Sequence, residues 1–496
     1  MLAGSVGEAH AQDTGAVRFP FGVASGDPTQ ERVILWTQVT TDGQGAVQLD
    51  WVVAEDPDLA RVVRAGTAVA NAADDHTCKV DVDGLEPGRT YWYAFSVPGT
   101  RSAVGRTRTL PAGGLDQLTL AVVTCGAYDG GFFNTYAAIA QSDVHAVVHL
   151  GDYIYEGIGS DTNPLGRVHQ PRKRTVTVDE YRTRYRQYRA DPDLQALHAA
   201  HPMISIWDDH EIANNCYKDG AEGHKPEDGD WEARKTAAMQ VWHEWIPVRA
   251  HSSGQRVHIW REFEFGDLIS LSMLETRISA KSPPAIGGGV DDPSRRFIGD
   301  DQRAWLFEQL RQPARWKLLS QGTQMAPMNY VTVPRDAGSQ LGPAVVVGAD
   351  GVPTNYDSWD GYAADRQRVY DFIIANAVDN VVVLTGDNHY AFSADLIPDP
   401  GNPLSQPVAV EFGTTSASTS TAGANSNDDV IRRANPWMRY FEPVKNGWIE
   451  LHVTHERCTA RYMSVDTTSE RNIAHSQSGE QEVLAGANRL SASLPV

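Results

Sequence analysis

The run HAVVHLGDYIYEG, His145–Gly157, decides how the chain is read. A short apolar run bounded by glycine has the form of a buried strand. Here Ala146, Val147, Val148 and Leu150 supply the run, and Gly151 and Asp152 end it. Tyr153 and Tyr155 follow, with only Ile154 between them. An Asp at a strand end is a common turn residue, and the tyrosines could simply pack against the loop. Asp152 and Tyr155, three apart, also have the spacing of a carboxylate and a phenolate on one metal ion.

Other strand ends weigh the two readings. LTLAVVTC ends in Cys125, and MISIWDDHE ends in Asp208, Asp209, His210 and Glu211. LISLSMLETR ends in Glu275 and Arg277, WKLLSQGTQ in Gln321 and Gln324, and NVVVLTGDNH in Asp387, Asn388 and His389. Helical patterns lie between these runs: DDQRAWLFEQLRQ from Asp300, and AADRQRVYDFIIANA from Ala363. Strands alternating with helices predict an α/β domain from Leu118 to the end of the chain. Open α/β sheets bind ligands at the carboxyl ends of their strands. Six strand ends that all finish in metal- or phosphate-binding groups are hard to explain as turns.

The donor types narrow the metal. Carboxylates and amides suit hard cations such as Ca²⁺, Mg²⁺ or Mn²⁺; thiolate, phenolate and imidazole suit a transition metal. A tyrosine ligand must lose a proton whose ordinary pKa is about 10, which calls for a strong Lewis acid such as Fe³⁺. The expectation is one iron beside at least one hard divalent ion, sharing a carboxylate. His210, flanked by acids, is expected to orient a ligand or donate a proton. Arg277 is expected to contact phosphate, because guanidinium matches its geometry.

Ahead of this domain, residues 16–112 read as all-β. RVILWTQV, VQLDWVVA and HTCKVDVDGL alternate, and LEPGRTYWYAFSV carries Tyr91 and Tyr93 after a Pro-Gly turn. The pattern resembles fibronectin-III and immunoglobulin-like sandwiches, in which a tyrosine locks a corner. PAGGLDQ, residues 111–117, reads as the linker. In residues 1–15, Ala9-His10-Ala11 has the form of a signal-peptidase site without its charged and apolar regions. That segment is expected to be the remnant of an export signal or a disordered tail. TVDEYRTRYRQYRADPDL places Tyr181, Tyr185 and Tyr188 at helical spacing, which predicts core packing, with the arginines solvated or ion-paired. Arg172 and Arg174 are expected on a solvated loop.

The 496 residues exceed a single core, which agrees with two domains. A net charge of -20 argues against a nucleic-acid partner, since counterion release needs a basic surface. No apolar run reaches the ~18 residues of a transmembrane helix. Four cysteines, Cys78, Cys125, Cys216 and Cys458, are too few for a disulfide scaffold, though one pair could form a disulfide in an exported protein.

FPFGVASGDPTQERVILWTQV, TCGAYDGG, GDYIYEG, WDDHEIANN, SWDGYAADRQRVYDF and TGDNH together resemble the PhoD-like alkaline phosphatases. These belong to the calcineurin-like, or purple-acid-phosphatase-like, metallophosphoesterase superfamily. The resemblance runs from about Phe19 to about residue 465; WDDHEIANN combined with GDYIY is its specific part. It implies a four-layer αββα catalytic domain behind the N-terminal sandwich. It implies Fe³⁺ on Cys125, Asp152 and Tyr155, with Asp152 bridging to Ca²⁺. Asp208 and Asn215 correspond to Ca²⁺ ligands, with Asp209 as the competitor, and Asp387 and His389 line the cluster. Two pieces depart from the family pattern: TCGAYDGG replaces the commoner Ser-Cys-Gln form, and Glu275-Thr276-Arg277 replaces Asp-x-Arg.

The expected function is an exported metal-dependent phosphoesterase, secreted or periplasmic through Tat export. It would act on monoesters or diesters by in-line attack of a metal-bound oxide or hydroxide. The substrate would be a small molecule or a lipid or polymeric phosphoester. Three alternatives stand beside it: a phosphodiesterase or phospholipase-D-type specificity on the same site, a zinc or manganese pair in place of iron and calcium, and a non-catalytic binding protein on this fold.

Overall fold

The computed structural model describes residues 16–491 apart from 44, 161, 250, 254–255, 287, 329–354, 403 and 422–427. The segment read as an export signal or tail, 1–15, lies outside the described residues. All six strands inferred from the chemistry-bearing runs are present, and they belong to two different sheets.

The first sheet has nine strands, in the order His475–Leu484, Arg457–Val465, Gly447–Thr454, Gln117–Val123, Ala146–His149, Pro202–Ser205, Val23–Gly26, Val33–Gln38 and Thr77–Val82. The second has seven, in the order Arg261–Phe265, Ile269–Met273, Trp316–Gln321, Val381–Thr385, Ala409–Gly413, Ala391–Leu396 and Met438–Glu442. The middle of each sheet is parallel: Gln117–Val123, Ala146–His149 and Pro202–Ser205 in one, Ile269–Met273, Trp316–Gln321 and Val381–Thr385 in the other. Apart from Gln117 and Thr119 these strands are buried along their whole length, which is why they read as mostly apolar runs.

Side chains alternate faces along a strand, and the two faces of the seven-stranded sheet enter different cores. Leu318, Val382 and Leu384 join Leu120, Val122, Ile449 and Leu451 of the nine-stranded sheet in one cluster. Leu319, Val381 and Val383 pack with Leu306 of the helix Asp300–Gln309, with Leu310 just past its end, and with Val369, Tyr370 and Ile373 of the helix Ala363–Ala375. On the nine-stranded sheet, the helix Pro192–Ala200 touches Val23–Gly26 and the helix Asn134–Ala140. The tyrosine-rich segment forms a helix, Val178–Arg189, whose first turn is closed by Glu180 accepting from Thr177 N–H at 2.9 Å. Asp191 caps the next helix, with Pro192 at its first position.

The N-terminal region does not stand apart from this frame. Val47–Ala54, Val62–Ala70, Thr90–Val97, Thr100–Arg101 and Gly105–Arg108 make a separate five-stranded sheet. Val23–Gly26, Val33–Gln38 and Thr77–Val82 instead extend the nine-stranded sheet, Val23–Gly26 running parallel to Pro202–Ser205. A third apolar cluster, including Val33, Leu35, Leu49, Val53, Tyr93 and Phe95, lies between these two sets of strands. Tyr91 Oη accepts from Glu86 N–H at 2.9 Å at the corner entering its strand. All four cysteines are buried and free, so the disulfide that the sequence left open does not form. Among the described residues no helix is long and apolar enough to cross a membrane.

A buried ion pair fixes the seam. Arg261 binds Asp27 through Nε at 2.9 Å and Nη2 at 2.7 Å, with both side chains almost wholly enclosed. Arg249 adds its backbone N–H to Asp27 and a bidentate contact to Asp81. Removing one partner of such a pair leaves an uncompensated buried charge. Asp27→Ala is therefore expected to lower the unfolding free energy by about 3–5 kcal/mol, read from urea denaturation; a loss under 1 kcal/mol would count against the pair as a clamp.

Candidate metal centre

Both sheets present the carboxyl ends of their parallel strands to one edge, and the chain segment 413–419 joins them there. Thr414 N–H donates to Thr385 O at 2.8 Å, and Ala417 N–H to Thr124 O at 2.9 Å. The residues just past the strands leave extended geometry abruptly. Cys125, Asp152, Asn215, Asp387 and His389 all have positive φ, between 51° and 64°. That region is costly for residues other than glycine, and such strain gathers at functional sites. Gly151, at φ 102°, lies so close to Asp208 that a Cβ on it would stand 2.5 Å from the Asp208 nitrogen. Gly322 likewise leaves room for the Asp208 carboxylate.

The side chains converge as follows. Cys125, Asp152 and His389 offer ligand atoms within 4.8 Å of one another; so do Asp152, Asp209 and His210, and so do Asp152, Asp208, Asp209 and Asp387. Asp152 belongs to all three groups. Cys125 Sγ lies 3.4 Å from Asp152 Oδ2. Tyr155 Oη is 3.0 Å from the same oxygen, 3.2 Å from His389 Nε2 and 3.1 Å from Thr419 Oγ1. Of the sequence-derived set, only Asn215 sits at one remove. Its backbone N–H donates to Asp209 Oδ2 at 2.6 Å, while its amide nitrogen turns to Glu222. Arg174 stays outside, paired with Glu227 and Asp228.

Arg277 is fully buried at the centre of the carboxylates. Its Nε and Nη2 hold the two oxygens of Asp208 at 2.5 and 2.7 Å, Nη1 holds Asp357, and Nη2 lies 3.6 Å from both Asp209 and Asp387. Lys281, also buried, holds the other oxygen of Asp357. His210 Nδ1 meets Glu156 Oε2 at 2.7 Å, and its ring lies 4.2 Å from that of Tyr155. Burial works against the His210 cation, but the charges of Asp209, Glu156 and Asp152 outweigh it and raise its pKa well above the ordinary value.

The acids show how crowded the cluster is. Burial, reinforced by Asp209, Asp208 and Glu211, pushes the Asp152 carboxyl well above its usual range. Burial raises Asp387 to about 6. For Asp209 the charges of Arg277 and His210 overcome burial and lower it. Burial, then the charges of Asp152 and Cys125, keep the Tyr155 phenol protonated far above its ordinary pKa. A cation placed among these groups opposes the upward shifts of Asp152, Asp387 and Tyr155 and reinforces the downward shift of Asp209. The residues fit one: the donor set mixes thiol, phenol, imidazole and carboxylates, and Asp209 Oδ1 is buried without any hydrogen-bond partner.

Some of the residues that build the centre escape a reading of strand ends. Glu156 follows the GDYIY motif but is defined only by its contact to His210. Asp357 and Lys281 are distant in sequence from everything they touch. The tyrosine helix was expected only to pack. Tyr188 Oη accepts the backbone N–H of Tyr155 at 3.1 Å, and Tyr181 Oη donates to Ile212 O. Arg184, expected at the surface or ion-paired, is fully buried and donates to the carbonyls of Tyr155, Gly157 and Gln170. Glu275 accepts the backbone N–H groups of Arg277, Ile278 and Ser279 and so shapes the turn that carries Arg277. Trp359 of the SWDGY run is a buried core residue whose Nε1 donates to Gln321 Oε1 at 2.7 Å.

Residues 120–462 match the family model described as PhoD-like phosphatase, and residues 5–111 match that of the PhoD-like phosphatase N-terminal domain. The chain is 34% identical over 481 residues to alkaline phosphatase D of Bacillus subtilis, covering 92% of this chain and 79% of that protein. It superposes on a solved structure described as "Structure of PhoD" with a TM-score of 0.85 and 33% identity, over 96% of this chain and 93% of that one. The matched regions take in every strand end that feeds the carboxylate cluster, and by them the chain belongs to the PhoD-like phosphatase family.

Proposed function

We propose that the cluster around Asp152 is the catalytic centre of a phosphoric ester hydrolase that holds one Fe³⁺ and one or two Ca²⁺. The observation that carries this reading is that Asp152 alone takes part in all three groups of ligand atoms, as a carboxylate shared between cations must. Cys125, Asp152 and Tyr155 would hold the iron. Asp152, Asp209, Asp387 and His389 would complete the cluster, with Asn215 bringing its backbone onto Asp209. When bound, such cations acidify a ligated water, polarise the phosphoryl oxygens and neutralise charge that builds up in the transition state.

The chain's own groups set the rest. Glu156 fixes the His210 ring by its Nδ1, which leaves Nε2 to deliver a proton to the leaving oxygen. Arg277 has its donors on carboxylates, so its role is to hold Asp208, Asp209 and Asp387 together against their mutual repulsion. It meets a phosphate only by giving up one of them. The resemblance also supports a four-layer αββα catalytic domain over residues 118–496 with a fibronectin-III-like sandwich before it. Export through a Tat signal is part of the same reading. A diester or phospholipid specificity on this site is the second reading; the net charge of -20 leaves either substrate open, because the cations supply the local positive field.

Two outcomes are expected. Elemental analysis of the purified chain finds iron and calcium, and the iron form absorbs in the visible through its phenolate and thiolate. Tyr155→Phe loses or strongly shifts that band while far-UV circular dichroism stays unchanged. A colourless protein carrying zinc or manganese would sink the iron assignment. Second, hydrolysis rates on p-nitrophenyl phosphate, bis-p-nitrophenyl phosphate and phosphatidylcholine rank monoester against diester use; His210→Ala lowers the rate on phosphatidylcholine, whose choline alkoxide needs a proton to leave, about a hundredfold, and the rates on the p-nitrophenyl esters, whose phenolate leaves without one, much less. Failure of the metal-loaded chain on all three would return the site to a binding role.

A further inference from the structure

Two loops meet at the cluster, one carrying Asp152 and Tyr155, the other Asp208, Asp209 and His210. The two are tied together by a carboxylate that belongs to none of the three groups of ligand atoms. Glu211 is fully buried. Its Oε2 accepts the N–H groups of Asp152 at 3.0 Å and of Asp208 at 2.8 Å, and its Oε1 accepts the N–H of Tyr153 at 2.5 Å. The N–H groups of Asp152 and Tyr153 are successive and sit beside two positive-φ residues, Gly151 and Asp152. Successive N–H groups in such a bend form a concave anion-binding nest. Here the nest is filled by the protein's own carboxylate.

We infer that Glu211 is a positioning residue: by occupying this nest it holds Asp152 in its left-handed conformation and fixes the gap between the two ligand-bearing loops. Both its oxygens accept N–H groups, and it stands outside the groups of ligand atoms. The Asp152 backbone, strained for a residue with a Cβ, is held by the donors on either side of it. Gly151 lies flush against Asp208, so the two loops meet with no side chain between them. The inference rests on the metal reading of the site and adds the element that sets its spacing. Glu211→Gln keeps the size but turns an NH₂ toward a backbone N–H, so the nest loses its charge and at least one acceptor.

The test follows the metal content of the purified holoprotein after exposure to rising EDTA concentrations and desalting. Glu211→Gln is expected to release half its metal at a chelator concentration at least tenfold below that of the wild type. Its kcat for p-nitrophenyl phosphate falls with the metal lost, and KM changes less than threefold. Asp365→Asn is the control. Asp365 is another buried carboxylate accepting two backbone N–H groups, from Phe297 and Ile298, outside the cluster. It lowers thermal stability without changing chelator resistance. Wild-type chelator resistance in Glu211→Gln overturns the inference. If that variant fails to fold, Glu211→Asp decides: it keeps the charge on a shorter arm and should release metal earlier than the wild type, and equal resistance overturns the inference. A wild-type chain that carries no metal at all sinks the reading of the centre itself, and this inference with it.

Discussion

Carboxyl groups buried side by side repel one another strongly where little water is present to screen them, and this chain collects Asp152, Asp208, Asp209, Glu156 and Glu211 within one cluster, with Asp387 at its rim. Against them stand Arg277, His210 and, through Asp357, Lys281. Much of the local structure answers that imbalance. Arg277 reaches four carboxylates. Backbone N–H groups are turned inward at positions where the chain must adopt positive φ to do so. What remains of the negative charge, with Asp209 Oδ1 lacking any hydrogen bond and standing 3.6 Å from Arg277, is what a cation would meet.

The two sheets divide the work of presenting these groups. Cys125, Asp152 and the Asp208–Glu211 segment come from the nine-stranded sheet; Arg277 and the Asp387–His389 segment come from the seven-stranded one. Neither sheet alone assembles a site. The apolar cluster between them, with Leu120 and Val122 against Leu318 and Leu384, is what sets the distance across the cluster. The contacts of Thr414 and Ala417 with Thr385 and Thr124 hold the edges together just beneath it.

The strand ends were legible in the sequence because a parallel strand buried on both faces leaves an unbroken apolar run, and its first polar residue marks the edge of the sheet. That signal placed Cys125, Asp152, Asp208, Asp387 and His389 before any coordinates. It does not reach groups whose role is defined by a partner far away in sequence. Arg184 looks like a solvated helix residue because its charge falls among other charges. It is buried because backbone carbonyls from two loops converge on it. Lys281 and Asp357 are similar: each is ordinary by local pattern, and their partners lie far away in sequence, Asp357 being held by both Lys281 and Arg277. Gly447–Thr454 and Arg457–Val465 escaped for a different reason. Half-buried positions occupied by Glu450, His452 and Arg461 dilute their apolar pattern, although both strands pair into the main sheet.

Val23–Gly26 lies in the parallel sheet beside Pro202–Ser205, with Ser25 opposite Pro202. On a ribosome the N-terminal strands therefore emerge long before the strand they pair with. Local hairpins of the five-stranded sheet can form early, but this long-range parallel pairing closes a large loop and must wait. Until then Ala24 and Trp36, which join the apolar cluster of the nine-stranded sheet, expose apolar surface and Val23–Gly26 an open edge. The region that looks like an independent leading module is thus one whose folding finishes only after more than a third of the chain has been made, and it becomes native together with the loop bearing Asp208 and Asp209.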